Sequence, residues 1–115
     1  MRERGAFEAV LRDGSRMASR NFLARARPNE GTHARLGIIA AKKTALRAVD
    51  RNRGKRLIRE AFQAVYASIG AYDVVVQLRN DLRSQPTSAL RPELRRLLET
   101  LTQRRIDTSA TRPDR

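Results

Sequence analysis

The chain has 115 residues, 25 of them Lys or Arg and 12 Asp or Glu, which gives a formal charge of +13 at pH 7. This length favours one domain with one core, and 22 arginines favour nucleic acid over an anionic membrane as partner, because guanidinium groups bind phosphate oxygens and stack on bases. The absence of Cys excludes disulfides, thiolate metal sites and cysteine nucleophiles; with no signal peptide and no apolar run longer than residues 36–41, we expect a soluble, cytoplasmic protein.

The first part of the chain predicts one helix followed by strands. Residues 5–12 place apolar side chains at helical spacing before an Asp-Gly break, which predicts a short amphipathic helix. Residues 17–27 approach a period of two and predict one strand, with Phe22 on the face opposite Arg25. Residues 35–41 are apolar on both faces and predict an inner strand that forms a hairpin with the first one.

The second part predicts a helix, a strand and a helix. Asp50 is a suitable N-cap for a helix that continues to about Ser68 and stops at Gly70. Tyr72–Leu78 contains three consecutive valines, which is typical of a buried strand. A stripe of leucines then predicts a last helix that frays near Arg105.

This order of elements predicts an α+β two-layer sandwich. We assign residues 1–106 to a single nucleic-acid-binding domain. Residues 107–115 are polar and follow the last apolar stripe, so we expect them to form a disordered tail.

The stretch of residues 42–59 is the strongest indication of function. Eight of its 18 residues are Lys or Arg, and its only acidic residue is Asp50. On a helix its polar residues fall on one flank and its apolar residues on another, so one face binds and the other packs. A merely solvated face would place Glu one turn before its cations, and such pairs are mostly absent. We infer a polyanion-binding surface.

Residues 35–62 read RLGIIAAKKTALRAVDRNRGKRLIREAF and resemble the signature region of the bacterial ribonuclease P protein subunit. That signature is a strand ending in a basic pair, followed by the pattern RNRxKRLxRE. Phe7-Glu8-Ala9-Val10 followed by Gly14 is similar to the opening helix of the family, and residues 72–79 resemble its last strand, so the resemblance covers residues 4–105. It implies the order αβββαβα and a four-stranded sheet with a left-handed crossover, against the usual right-handed rule.

The resemblance also implies a function. Members of this family are small basic subunits that bind a catalytic RNA, and together the two remove the 5′ leader from precursor transfer RNA. The holoenzyme is an endoribonuclease, but its RNA handles the scissile phosphate and the Mg²⁺ ions. The protein subunit is therefore expected to be non-catalytic and to bind no metal of its own, with the catalytic RNA and precursor transfer RNA as its partners.

Two sets of site residues follow from the resemblance. The catalytic RNA is expected to contact the cationic helix through Arg51, Asn52, Arg53, Lys55, Arg56 and Arg59. A cleft between the first helix and the sheet is expected to hold the single-stranded leader through Phe7, Leu11, Phe22, Arg25 and Lys42. Family members often carry a second aromatic residue where this chain has Leu11, so we expect weaker base stacking here. For Phe7 and Phe22 a role in the core stays open; for Phe62, Tyr66 and Tyr72 the core is favoured.

Other functions have less support. His33 stands alone in a predicted turn, without the second His, Cys or carboxylate cluster that hydrolysis or metal binding would need. A structural RNA-binding protein, such as a ribosomal protein or an RNA chaperone, fits the charge and size but not the register of residues 51–60. A DNA-binding protein is disfavoured because the chain lacks a two-helix turn motif and an obvious dimer seam.

Overall fold

A computed structural model of the chain describes residues 4–44 and 47–111. It confirms the α+β class and the element order αβββαβα. The elements are α1 (Arg4–Asp13), β1 (Ser15–Ala18), β2 (Phe22–Pro28), β3 (Arg35–Ile39), α2 (Ala48–Ile69), β4 (Tyr72–Leu78) and α3 (Thr87–Thr111). Within the described residues, no helix combines the length and the apolar character needed to cross a membrane.

The four strands form one sheet in the order β1-β2-β4-β3. β2 is antiparallel to β1 and to β4, and β3 is parallel to β4. Parallel neighbours need a crossover connection, and α2 supplies it between β3 and β4. The left-handed sense that the resemblance implies for this crossover stays a prediction.

The predicted hairpin between residues 17–27 and 35–41 is wrong. The first stretch holds two strands, because the chain turns where the backbone N–H of Ser19 donates to the carbonyl of Phe22 at 2.8 Å. β4 lies between β2 and β3, so β3 is an edge strand and not an inner one. β3 is apolar on both faces although it is an edge strand, because α1 lies against one face and α2 against the other.

The main core lies between one face of the sheet and helices α2 and α3. The sheet contributes Phe22, Ala24, Ala26, Val74, Val76 and Leu78. The helices contribute Leu57, Ile58, Ala61, Phe62, Val65, Ile69, Leu90, Leu94, Leu97, Leu98 and Leu101. As predicted, Phe62, Tyr66 and Tyr72 pack in or against this core. α1 covers the opposite face of the sheet, which explains why the consecutive valines of β4 are all buried.

Two predicted helix ends need correction, and a third is confirmed. α2 begins at Ala48 with Arg47 as N-cap, because the carboxylate of Asp50 binds side chains rather than backbone N–H groups. Gly70 ends α2 at a φ of +79°, a conformation that glycine adopts without strain. α3 continues to Thr111 instead of giving way to a tail at residue 107, since no Gly or Pro interrupts it there. Residues 112–115 lie outside the described residues.

Candidate nucleic-acid interface

The first three turns of α2 carry the predicted basic face. All six predicted members are exposed or half-buried, namely Arg51, Asn52, Arg53, Lys55, Arg56 and Arg59, but one of them is hydrogen-bonded to another segment of the fold. The buried side of the same turns holds Gly54, Leu57 and Ile58. Glu60 forms an ion pair with Arg91 of α3, in which its Oε1 lies 2.6 Å from Nε of Arg91. Arg56 and Arg59 are exposed on this face and accessible to a polyanion.

Arg53 is the exception. Its side chain is 17% exposed, and its guanidinium donates to the backbone carbonyls of Leu82 at 2.6 Å and Gln85 at 2.7 Å. Arg53 lies toward the packed side of α2, because it stands one turn before the buried Leu57 and one turn after the buried Asp50. The structure places it against the segment between β4 and α3.

Asp50 fixes the first turn of α2 from inside. It is 2% exposed, and its carboxylate accepts two hydrogen bonds from Arg47, at 2.7 and 3.1 Å. The hydrogen bond from Arg47 lowers the pKa of Asp50, and together with the charge of Arg53 it outweighs the effect of burial, which raises it. The carboxylate is ionised at neutral pH and holds both guanidinium groups, so it does not repel an approaching phosphate as an exposed acid would.

The second predicted site lies where α1 crosses the sheet. Phe7 packs on β3 at Gly37, so closely that a Cβ there would lie 2.9 Å from Cε1 of the ring. Arg25 faces the same side, because its register partner in β4 is Val75, which is in turn opposite Gly37. Phe7, Arg25 and Leu11, one helical turn after Phe7, are each half-buried. The structure thus places an aromatic ring and a guanidinium group on the face of the sheet that α1 covers, where the cleft is predicted.

One of the predicted leader residues is not in this cleft. Phe22 is fully buried in the main core, on the other face of the sheet. Side chains alternate along a strand, so Phe22 and Arg25 point to opposite faces, and the prediction that both bind the leader is wrong. Lys42 is exposed in a turn beyond the last residue of β3, Ile39.

Gln77 is a cleft residue that the sequence reasoning missed. Its Oε1 lies 3.5 Å from Nη1 of Arg25, and it is half-buried at the end of a strand that is otherwise apolar after Asp73. A lone amide in such a strand is a usable signal, because polar side chains are costly there unless they find a partner. The sequence also did not predict that the ring of Phe7 packs against Gly37.

The described residues contain no group of three or more His, Cys, Asp or Glu side chains that could hold a metal ion. His33 is exposed, and its Nδ1 lies 2.9 Å from the hydroxyl of Thr32. Around α1 and α2, the described residues offer cations, the half-buried ring of Phe7 and side-chain amides, which are groups that can contact nucleic acid.

The sequence model of the Ribonuclease P family matches residues 1–102 of the chain. The chain belongs to this family. Ribonuclease P protein components are similar to it: that of Idiomarina loihiensis is 44% identical over 79 residues, or 69% of this chain and 63% of that protein. That of Azotobacter vinelandii is 34% identical over 104 residues, or 90% of this chain and 80% of that protein.

Solved ribonuclease P proteins share the fold. The protein from Staphylococcus aureus superposes with a TM-score of 0.78 at 31% identity, covering 88% of this chain and 93% of that one. The protein from Thermotoga maritima gives a TM-score of 0.73 at 28% identity, covering 87% of this chain and 94% of that one. Among the curated relatives, the matched part spans 63% of the Idiomarina loihiensis protein and 66% of that from Methylococcus capsulatus.

Proposed function

We propose that this chain is the protein component of ribonuclease P and supports removal of the 5′ leader from precursor transfer RNA in the cytoplasm. The RNA subunit carries the active site and its Mg²⁺ ions. The observation that supports this most is the exposed cationic face of α2, in register with the signature of the family to which the chain belongs. Each phosphate that such a cation neutralises releases counterions, which favours the folded RNA.

We assign leader binding to the cleft between α1 and the sheet. The half-buried ring of Phe7 offers one stacking surface for an unpaired base, and Arg25 beside it offers a charge for a phosphate. Gln77 adds an amide within reach of Arg25 and can hydrogen-bond to a base edge. With Leu11 in place of a second aromatic ring, the cleft is expected to discriminate little among leader sequences.

Reconstitution with the cognate catalytic RNA tests this function. The protein should bind that RNA and accelerate leader removal, and Arg56→Ala should weaken binding and lower the salt slope of log K by about 0.7 to 0.9, the value of one phosphate contact. Arg95→Ala is the matched control, because it removes the same charge from an exposed helix position that is paired with Glu99.

Two outcomes would contradict the proposal. Equal losses for Arg56→Ala and Arg95→Ala would mean that only net charge matters. Co-purification of ribosomal RNA, with no preference for the catalytic RNA, would identify a structural RNA-binding protein instead.

A further inference from the structure

We propose that Arg53 is a positioning residue: it holds the first turns of α2, which carry the cationic face, against the segment between β4 and α3. It makes no contact with RNA itself. This inference rests on the proposed function, because the position of α2 matters to binding only if α2 meets the catalytic RNA. It also separates Arg53 from its motif neighbours Arg51 and Arg56, which the resemblance treats alike.

Both terminal nitrogens of the Arg53 guanidinium already make contacts within the protein. Nη1 donates to the carbonyl of Gln85 at 2.7 Å and to the hydroxyl of Thr87 at 3.3 Å. Nη2 donates to the carbonyl of Leu82 at 2.6 Å and lies 3.5 Å from the carboxylate of Asp50. A phosphate could engage these nitrogens only by breaking charge-assisted hydrogen bonds to half-buried acceptors, which are stronger than neutral ones.

The segment that Arg53 holds is itself anchored in the core. Leu82 is fully buried, and the side chain of Gln85 forms a reciprocal amide pair with Asn21. Gln85 Nε2 donates to Asn21 Oδ1 at 2.7 Å, and Asn21 Nδ2 donates to Gln85 Oε1 at 2.9 Å. Asn21 is 1% exposed, so these bonds are shielded from water and fix the geometry of both partners.

Glu93 of α3 completes the network. Its carboxylate accepts hydrogen bonds from the backbone N–H of Asn21 at 2.8 Å, from Asn21 Nδ2 at 2.7 Å and from the hydroxyl of Ser19 at 2.5 Å. A continuous set of hydrogen bonds therefore joins α2, the segment before α3, the turn between β1 and β2, and α3. β2 begins directly after Asn21 and carries Arg25 of the cleft, so the same network relates the cationic face to the leader side.

Removal of the guanidinium would leave two backbone carbonyls and the buried Asp50 short of a donor. We expect the first turns of α2 to shift slightly, so that Arg51, Arg56 and Arg59 still meet their phosphates but with poorer geometry. Affinity for the catalytic RNA would fall several-fold, but the number of phosphate contacts would not change by one. Salt dependence separates these cases, since its slope counts phosphate contacts.

The experiment compares Arg53→Met with Arg56→Met, each keeping an unbranched apolar stem. Affinity for the catalytic RNA is measured over a salt series, at a temperature where circular dichroism shows each variant fully folded. Both variants should bind several-fold more weakly than the wild type. Arg56→Met should also lower the slope by about 0.7 to 0.9, whereas Arg53→Met should keep the wild-type slope.

Three results would overturn the inference. A lowered slope for Arg53→Met would make Arg53 a phosphate contact, and an unchanged affinity beside a lowered melting temperature would make it merely structural. If Arg53→Met does not fold, Arg53→Lys takes its place, because a lysine keeps the charge but not the planar fork of the guanidinium. Its affinity for the catalytic RNA should stay below that of the wild type at an unchanged slope. Full recovery of wild-type affinity in Arg53→Lys would be the third contrary result. Failure of the wild-type protein to bind the catalytic RNA would reject the proposed function instead.

Discussion

Phe7 and Phe22 lie on opposite faces of the sheet, and this separates two kinds of aromatic side chain. Phe7 is half-buried beside Gly37, with part of its ring facing solvent. Phe22 is fully buried among the residues that α2 and α3 cover. A base can reach the first ring, but it could reach the second only if the core opened.

Phe7→Ala should lower the affinity of the holoenzyme for leader-bearing precursor more than for mature transfer RNA. The reason is base stacking, worth about 1 to 3 kcal/mol per base, and we expect the low end because Leu11 offers no second ring. Phe22→Ala is the contrasting variant, and it should reduce the free energy of unfolding by about 3 to 5 kcal/mol. Titration with the two RNAs and thermal melts measure both effects. Equal losses for both RNAs at an unchanged melting temperature would show that Phe7 is not a leader contact.

Strand periodicity alone could have predicted that Phe22 and Arg25 lie on opposite faces of the sheet. The period-two pattern already sets Phe22 and Arg25 on opposite faces, and the structure follows the pattern rather than the resemblance. The role of Arg53 had no comparable signal. Its acceptors are backbone carbonyls 29 and 32 residues away, and every residue has a carbonyl, so sequence cannot mark the ones that meet a guanidinium.

At the scale of elements, local sequence patterns predicted α2 and β4 well. They did not predict which strands pair with each other in the sheet. The bounds of β4 match the prediction, because a run of valines and the stop at Gly70 are local features. The insertion of β4 between β2 and β3 depends on pairing over a long sequence separation, for which the hairpin rule favours sequential neighbours. The turn that divides residues 17–27 carries Ser and Asn, a weaker signal than Gly or Pro.

The junction of α1 with the sheet gives a prediction for two glycines. A Cβ on Gly14 would lie 2.6 Å from the carbonyl oxygen of Val10 and 3.0 Å from that of Ala26, and both obstacles are backbone atoms. Gly14→Ala should therefore lower the free energy of unfolding by about 1 to 3 kcal/mol, as overpacking does. Gly5→Ala is the control, because nothing lies within 4 Å of the added atom. Alanine there should raise stability by up to about 1 kcal/mol through helix propensity. Urea unfolding of both variants checks this, and equal midpoints would contradict it.

Asp73 ties three elements together. It is 5% exposed, and its carboxylate accepts hydrogen bonds from Arg35 of β3 at 2.8 and 2.9 Å and from Asn29 of the preceding turn at 2.9 Å. Burial raises the pKa of Asp73, but the hydrogen bonds from Arg35 and Asn29 outweigh it and hold the pKa below its ordinary value of 3.8. The folded state therefore favours the ionised carboxylate.

This shift predicts acid sensitivity of a defined sign. A group whose pKa is lower in the folded state contributes stability above its unfolded value, here 3.8, and that contribution is lost as pH falls through the folded value. Asp73→Asn should be less stable than the wild type at neutral pH, and the difference should shrink below pH about 4. Asp50 has a lowered pKa in both proteins, so its effect cancels in the comparison. Urea midpoints from pH about 7 to about 2.5 measure it, and a difference that does not vary with pH would refute the assignment.

Over the whole molecule, internal pairing of the acids shapes the surface charge. Among the described residues, at least six carboxylates have side-chain or backbone donors within the protein, namely Asp50, Glu60, Asp73, Asp81, Glu93 and Glu99. The formal charge of +13 is therefore expressed mainly by exposed cations, among them those of α2. Such a surface attracts a polyanion over a distance of the Debye length, about 8 to 10 Å at physiological salt.

A surface built for polyanion binding does not by itself cleave a phosphodiester, so the chain freed of RNA should leave precursor transfer RNA intact. Hydrolysis would need a base, an activated water or a metal held by converging side chains, and the described residues contain no cluster that could hold a metal ion. The test uses protein purified under denaturing conditions, refolded, and shown to be free of RNA. Addition of the cognate catalytic RNA with Mg²⁺ should restore cleavage at the mature 5′ end. Cleavage by the RNA-free protein that disappears in His33→Ala would contradict this division of labour, because it would give the chemistry to the protein.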